Sequence, residues 1–442
     1  MHRIRIALSF ASLSVLVGLA QPRPALAEQV KLEAALANTV LKADTKQVVP
    51  LRVALRGFKL TSDRARPPVN VAIVIDTSGS MQGEKLARAK EAARMAVERL
   101  SSRDITAIVT YSSEACVLVP ATRLTDKGPV LAAISALQVS GGTALFAGVS
   151  RGAGEVRKFF DRGSVNRVIL LSDGIANVGP SSPDELGDFG ASLIKDGISV
   201  STIGLGLGYN EDLMSKLARR SDGSHYFVEN AADLSRIFQR EIGDVLTVVA
   251  QEVGVEIRCA EGIRPVRVLG READITGQAT RVYLNQLYSE HEQHVLLEVE
   301  VPAAAAGRTM PVADVKVSYA NLETRTSETL SSSVSVRFSA SEEEVQRGVN
   351  REVMVSAVEQ IATAQNELAT KLRDQGKVEE ARDLLLKNAV YLKDHAVRWS
   401  APRLDEYSKI QEEDARNLDD KSWVQSRKKM RSEQAARSSQ KK

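Results

Sequence analysis

The sequence predicts an α/β fold: a doubly wound, mostly parallel sheet, joined to a β-sandwich and a C-terminal helical hairpin. Three changes of hydrophobic rhythm along the 442 residues carry that expectation. Residues 69–244 alternate strand-like and helix-like runs, the pattern of a parallel-rich sheet covered on both faces. Residues 245–338 switch to a period of two, and residues 340–425 become charged and helical. The length exceeds what one core usually holds, which points to several domains.

At the N-terminus, Arg3 and Arg5 precede a mostly apolar stretch from Ile6 to Ala20, and Ala25-Leu26-Ala27 offers a small-x-small cleavage pattern. Residues 1–27 therefore read as a signal peptide cleaved after Ala27, which directs the chain to a periplasm or beyond. The apolar run is short for a membrane span, and no later segment is apolar enough to form one. Cleavage removes Arg3, Arg5 and Arg23 and no acids, so the formal net charge falls from +3 to zero. A near-neutral chain gives no electrostatic case for nucleic acid. Residues 28–66 contain further strand material, notably Val48 to Leu55. They are expected to add strands to the sandwich, making residues 69–244 an insertion between its strands.

Within 69–244, strands are expected at Val69 to Ile75, Ile105 to Tyr111, Ala115 to Val119, Val165 to Leu171, Ile198 to Leu205 and His225 to Phe227. Helices fall between them, for instance Glu84 to Leu100, whose Leu86, Ala89, Ala93, Ala96, Val97 and Leu100 mark one face. Sandwich strands are expected at Val253 to Ile257, Arg281 to Leu284, Val295 to Val301, Val312 to Tyr319 and Ser332 to Phe338. In the helical part, apolar residues recur at Val349, Val353, Val358, Ile361, Leu368 and Leu372, and Gly376 offers a stop. A second helix follows from about Val378 to Ala396, with Ala381, Leu384, Leu385 and Leu392 facing inward. Leu368 to Leu386 resembles one tetratricopeptide unit, but such arrays need about three units, so a structural hairpin is the expectation. Residues 426–442 carry seven cations against Glu433 alone and read as a disordered basic tail, with an anionic surface as the alternative partner.

The chemistry concentrates at strand ends. Asp76-Thr77-Ser78-Gly79-Ser80 directly follows the apolar run Val71 to Ile75, and Ser172-Asp173-Gly174 closes Val168 to Leu171. Between them lies Gly141-Gly142-Thr143-Ala144-Leu145. A D-x-S-x-S match alone suits any loop that caps a helix. Three such loops at the carboxyl edge of one doubly wound sheet, where these folds bind ligands, point to a common site. Mg²⁺ takes a near-octahedral shell of hard oxygens at about 2.0 to 2.1 Å, and Ser78, Ser80 and Thr143 can supply them.

Together these loops resemble the metal-ion-dependent adhesion site of von Willebrand factor type A domains, with no position of the pattern missing. The close match covers about Asn70 to Gly208. The resemblance implies one ion, Mg²⁺ or else Mn²⁺ or Ca²⁺, bound directly by Ser78, Ser80 and Thr143. Asp76 and Asp173 would act mainly through waters and as hydrogen-bond acceptors that orient the other groups. An ion held by neutral hydroxyls keeps much of its charge and attracts a partner's Asp or Glu. The implied function is protein binding in adhesion or assembly, without enzymatic activity. The resemblance also implies that occupancy is coupled to movement of the last helix, here about Leu234 to Val245. In layout, a type A domain followed by a sandwich is similar to inter-alpha-trypsin inhibitor heavy chains and to calcium-activated chloride channel homologues. The channel label implies little here, because no spanning helices are present to form a pore.

Two other function classes compete. A metal-assisted phosphohydrolase would use Asp76 as nucleophile or a metal-bound water. It would want a second carboxylate where Ser78 stands, and no His or Lys is obviously placed as acid or base among the three loops. A type A partner of an ATPase of the magnesium-chelatase kind fits the motif but conflicts with the signal peptide. Gly204-Leu205-Gly206-Leu207-Gly208 closes the fifth strand, not the first, and its even glycine spacing does not suit a dinucleotide. His291-Glu292-Gln293-His294 is not H-E-x-x-H and reads as a solvated turn. Cys116 and Cys259 fall in different domains, and a bridge between them is open to geometry.

Overall fold

The computed structural model describes residues 29–60 and 66–441; the signal peptide expected over residues 1–27 lies outside them. Three strands come first, β1 (Lys31–Leu36), β2 (Val40–Lys42) and β3 (Gln47–Arg56). β1 and β3 pair antiparallel, with Lys31 opposite Arg56.

The chain then enters the α/β domain. Its elements are β4 (Val69–Asp76), α1 (Glu84–Arg99), β5 (Ile105–Tyr111), β6 (Ala115–Arg123), α2 (Gly128–Ser135), α3 (Leu145–Lys158), β7 (Val165–Ser172), α4 (Pro183–Lys195), β8 (Ser199–Leu205), α5 (Glu211–Arg220), β9 (His225–Val228) and α6 (Leu234–Leu246). They form one sheet in the order β6-β5-β4-β7-β8-β9, parallel except between β5 and β6. Every residue of β4, β7 and β8 is buried, as expected of strands covered on both faces, including polar residues such as Asn70, Arg167 and Ser201. One face packs on α1 and α6, the other on α3 to α5. The winding reverses around β4, whose neighbours are β5 and β7, so the carboxyl end of β4 opens on a crevice.

Helices α4 and α5 meet closely because Gly190 has no side chain. A Cβ there would stand 2.7 Å from the Leu217 carbonyl oxygen. Gly190→Val is expected to cost about 1 to 3 kcal/mol through overpacking. A lower midpoint in urea at unchanged m-value would be the sign of it.

The remaining strands are β10 (Val248–Cys259), β11 (Arg264–Leu269), β12 (Asp274–Thr276), β13 (Ala279–Tyr288), β14 (Glu292–Val301), β15 (Thr309–Asn321) and β16 (Thr326–Ser339). A four-stranded sheet in the order β1-β3-β14-β11 faces a six-stranded sheet in the order β12-β13-β10-β15-β16-β2. β3 pairs with β14 along its whole length, from Arg56 opposite Glu292 to Gln47 opposite Val301. The N-terminal strands and residues 248–339 thus share one sandwich, and the α/β domain is inserted between β3 and β10. The solvated turn expected at His291 to His294 is corrected: β14 begins at Glu292, and His294 is buried within it. The two cysteines are free, Cys116 exposed on β6 and Cys259 buried on β10.

The domains meet at a buried ion pair. Arg167, near the amino end of β7, is fully buried and donates to Glu241 of α6 at 2.6 Å and to Ser201 of β8 at 3.1 Å. Its other nitrogen donates to Gln286 and to the Tyr288 hydroxyl of β13 in the sandwich. Glu241 also accepts from Ser201 and from the Tyr226 hydroxyl at 3.1 Å. Helix α6, the element expected to move, is tied by this one carboxylate to three strands and, through Arg167, to a second domain.

Among the described residues, five helices follow the sandwich: α7 (Glu342–Arg347), α8 (Arg351–Asp374), α9 (Val378–Arg398), α10 (Pro402–Arg416) and α11 (Trp423–Ser438). The hairpin α8-α9 is joined by α10 and α11, and Leu368 of the expected apolar row faces solvent. The disordered tail is corrected as well. Lys428 of α11 is 2% exposed and donates to Glu211 and to the Tyr209 carbonyl, each at 2.5 Å. Arg427 bonds Glu211, Asp212 and Asp374. The cations that suggested disorder are matched by acids on α5 and α8, and the Phe227 N–H of edge strand β9 donates to Ser432 at 3.4 Å. α11 thereby covers an edge that would otherwise be open to pairing.

Candidate functional site

β4 ends on Asp76 and β7 on Ser172, so their loops emerge side by side at the carboxyl edge. The Asp76 carboxylate turns back on its own loop, accepting from the Ser78 N–H at 2.8 Å and from the Ser172 hydroxyl at 3.0 Å. Burial pushes the Asp76 carboxyl above its usual range, against those hydrogen bonds, and the nearby Asp173 adds to the rise. Among the described residues no cationic side chain bonds it.

The loop before α3 comes in beside the first. The Ser140 N–H donates to the Thr77 carbonyl at 2.6 Å and the Gly79 N–H to the Gly141 carbonyl at 3.3 Å. Gly141 has φ +53°, and a Cβ there would stand 2.5 Å from the Ser113 hydroxyl, so the turn requires glycine. Thr143, 5% exposed, is held by Asn177, which accepts its N–H at 2.9 Å and donates a backbone N–H to its carbonyl at 3.1 Å.

The third loop closes the cluster. Ser80 donates to Asp173 Oδ1 at 2.6 Å, and its hydroxyl lies 3.1 Å from that of Ser78. Gly174 lies between Thr143 and Ser80: a Cβ there would stand 3.1 Å from Thr143 Oγ1 and 3.6 Å from Ser80 Oγ. All five residues singled out in the sequence, Asp76, Ser78, Ser80, Thr143 and Asp173, are gathered at one place. Of the five only Ser80 is exposed, with Gly79 and Gly141 exposed beside it, so the cluster opens to solvent there.

Sequence reasoning missed one charged member. Lys85, in the first turn of α1, donates to Asp173 Oδ2 at 2.5 Å with its side chain 36% exposed. The expectation that no lysine stands among the three loops is corrected, because one helical turn carries Lys85 back over them. Gly204 and Gly208, of the run set aside in the sequence as a dinucleotide loop, have a packing role. A Cβ at Gly208 would stand 2.6 Å from the Asp173 carbonyl, and one at Gly204 would enter the Tyr209 ring, so both serve close packing. No group of three or more His, Cys, Asp or Glu suited to a metal occurs among the described residues, so any ion here rests on hydroxyls and two carboxylates.

This sheet, with three loops converging at its switch point, defines a class: residues 70–240 match the model of the von Willebrand factor type A domain, and this part of the chain is such a domain. Among known sequences the chain is similar to uncharacterized protein YfbK of Escherichia coli, 30% identical over 211 residues, covering 47% of this chain and 37% of that one. It is also similar to inter-alpha-trypsin inhibitor heavy chain H4 of Homo sapiens, 30% identical over 199 residues, covering 42% and 21%. The chain thus spans well under half the length of either relative. Among solved structures, a von Willebrand factor type A protein from Catenulispora acidiphila superposes with a TM-score of 0.70 at 18% identity, covering 87% of this chain and 89% of that one. The ArnB paralog VWA2 from Sulfolobus acidocaldarius gives 0.63 at 17%, covering 92% and 98%. At such identity the likeness is one of fold, and it takes in most of the sandwich and helical region. No helix among the described residues is long and apolar enough to cross a membrane.

Proposed function

We propose that the chain is an exported, divalent-metal-dependent protein-binding factor that engages an acidic residue of its partner at an open coordination position. The observation that carries this reading is Asp76, fully buried and bonded, among the described residues, by neutral donors alone, within a cluster of three hydroxyls and a second buried carboxylate. A cation fits that donor set. Ser78, Ser80 and Thr143 would hold the ion, with Asp76 and Asp173 orienting its hydration, and Mg²⁺ or Mn²⁺ suits hard oxygens. Bound, the ion supplies a positive centre for a carboxylate. A non-catalytic role is supported by Lys85, which is committed to Asp173 and so is not a free base.

Mn²⁺ offers a direct test, because relaxation of bulk water reports water on the bound ion. Relaxation should rise when Mn²⁺ binds and fall when a Glu-containing peptide displaces coordinated water. A matching Gln peptide should have no effect. An enhancement indifferent to the acidic peptide, or release of phosphate from a model ester, would overturn the reading.

Lys85 sets the strength of the site. Its ammonium competes with the ion for Asp173, so Lys85→Met is expected to tighten Mg²⁺ binding about three- to tenfold, allowing for solvent screening at an exposed side chain. Weaker binding would show that Lys85 chiefly orients Asp173.

A further inference from the structure

Three large apolar side chains stand exposed beside the cluster: Ile175 at 62%, Val178 at 42% and Leu207 at 49%. Apolar residues exposed singly need no explanation, but these occupy the two loops that brace the site. On one flank, Leu207 sits between two glycines. Gly206 has φ +69° and a Cβ there would lie 3.8 Å from Lys85 Nζ, while Gly208 abuts the Asp173 carbonyl. The backbone of this loop therefore lies against the Lys85 and Asp173 pair, and Leu207 is the side chain it presents. On the other flank, the exchange of hydrogen bonds between Asn177 and Thr143 fixes the loop, with Ala176 buried and Ile175 and Val178 outward.

We infer that this rim is a docking surface, and that the partner's acidic residue lies in a segment with bulky apolar residues on both sides of it. The inference rests on the reading of the site as a metal-dependent carboxylate receptor and adds the partner's chemistry. A cationic centre between apolar flanks is complementary to an anionic side chain between apolar neighbours. A polar acidic loop would leave Ile175, Val178 and Leu207 in water, whereas an apolar-flanked one removes them from it.

The test uses the full chain and fluorescent peptides with one central Glu, flanked on both sides by Leu or by Ser, with a Leu-flanked Gln peptide as control. In Mg²⁺ the Leu-flanked Glu peptide should bind about tenfold tighter than the Ser-flanked one, the ratio expected from partial burial of two side chains. The variant Ile175→Ser/Leu207→Ser should keep its Mg²⁺ affinity, which reports its fold, and bind the two Glu peptides alike. Equal, Mg²⁺-dependent affinity of the unaltered protein for both Glu peptides would overturn the inference and leave the metal reading standing. A preference for Leu flanks that persists in EDTA or with the Gln peptide would also overturn it. Absence of Mg²⁺ binding would remove the metal reading, and the inference with it.

Discussion

Replacing Arg167 with methionine is expected to destabilise the protein by about 3 to 5 kcal/mol, the usual cost of leaving one partner of a buried ion pair unmatched. Arg167 and Glu241 are both fully buried, and the guanidinium also serves Ser201, Gln286 and Tyr288. Once the arginine is gone, Glu241 keeps only the Ser201 and Tyr226 hydroxyls. Adding Glu241→Leu should recover part of the loss, since the second change removes the uncompensated charge. Urea unfolding of the two variants measures both effects. The same pair bears on domain movement, because α6 cannot shift along the sheet without breaking it. Similar scattering profiles with and without Mg²⁺ would agree with that constraint.

The second large effect is a loss of stability in acid, traced to His225. This residue is 5% exposed, shares a hydrogen bond with Thr202 at 2.8 Å and, among the described residues, has no partner at Nε2. Burial lowers its pKa to about 4, with nearby Lys428 pushing the same way and Glu211 opposing. A folded-state value below the unfolded one means that the unfolded chain binds the extra proton first. Stability is therefore fully present above pH 6.5 and declines as pH falls through about 4. The shift corresponds to about 3 kcal/mol. Denaturant titrations at a series of pH values should show that decline, and His225→Gln should flatten it. Glu211 and Asp212 add a separate loss at lower pH. Burial alone would raise them, but Lys428 and Arg427 for Glu211, and Arg431 and Arg427 for Asp212, hold both below their usual range. The difference between the protein and its His225 variant isolates the imidazole.

What could be read from the residues followed their physical signal. Asp76, Ser78, Ser80, Thr143 and Asp173 were legible because hydroxyls and carboxylates after the apolar runs Val71 to Ile75 and Val168 to Leu171 have little other reason to recur in three loops. That residues 28–66 join the sandwich was legible in the strand-like run from Val48 to Leu55, though its partner β14 was not. β11 was not, because Pro265 and a register shift before Arg267 break its alternation. Helix α11 was missed for a different reason. It buries Lys428, Met430 and Gln434, so its contact face is polar and leaves no apolar stripe to find. Its partners, Glu211, Asp212 and Asp374, lie far away in sequence and are brought to it by the fold alone. Lys85 was hidden similarly, since only the helical turn after Gly83 returns it to Asp173.

The central claim is that the five clustered residues hold one divalent ion. Calorimetric titration of the protein with Mg²⁺ and Mn²⁺, beside an Asp76→Ala/Ser78→Ala variant shown to unfold cooperatively, tests it most directly. Saturable binding to one site, lost in the variant, is the predicted result. A folded protein that takes up neither ion, or a variant that binds as well as the original, would contradict it.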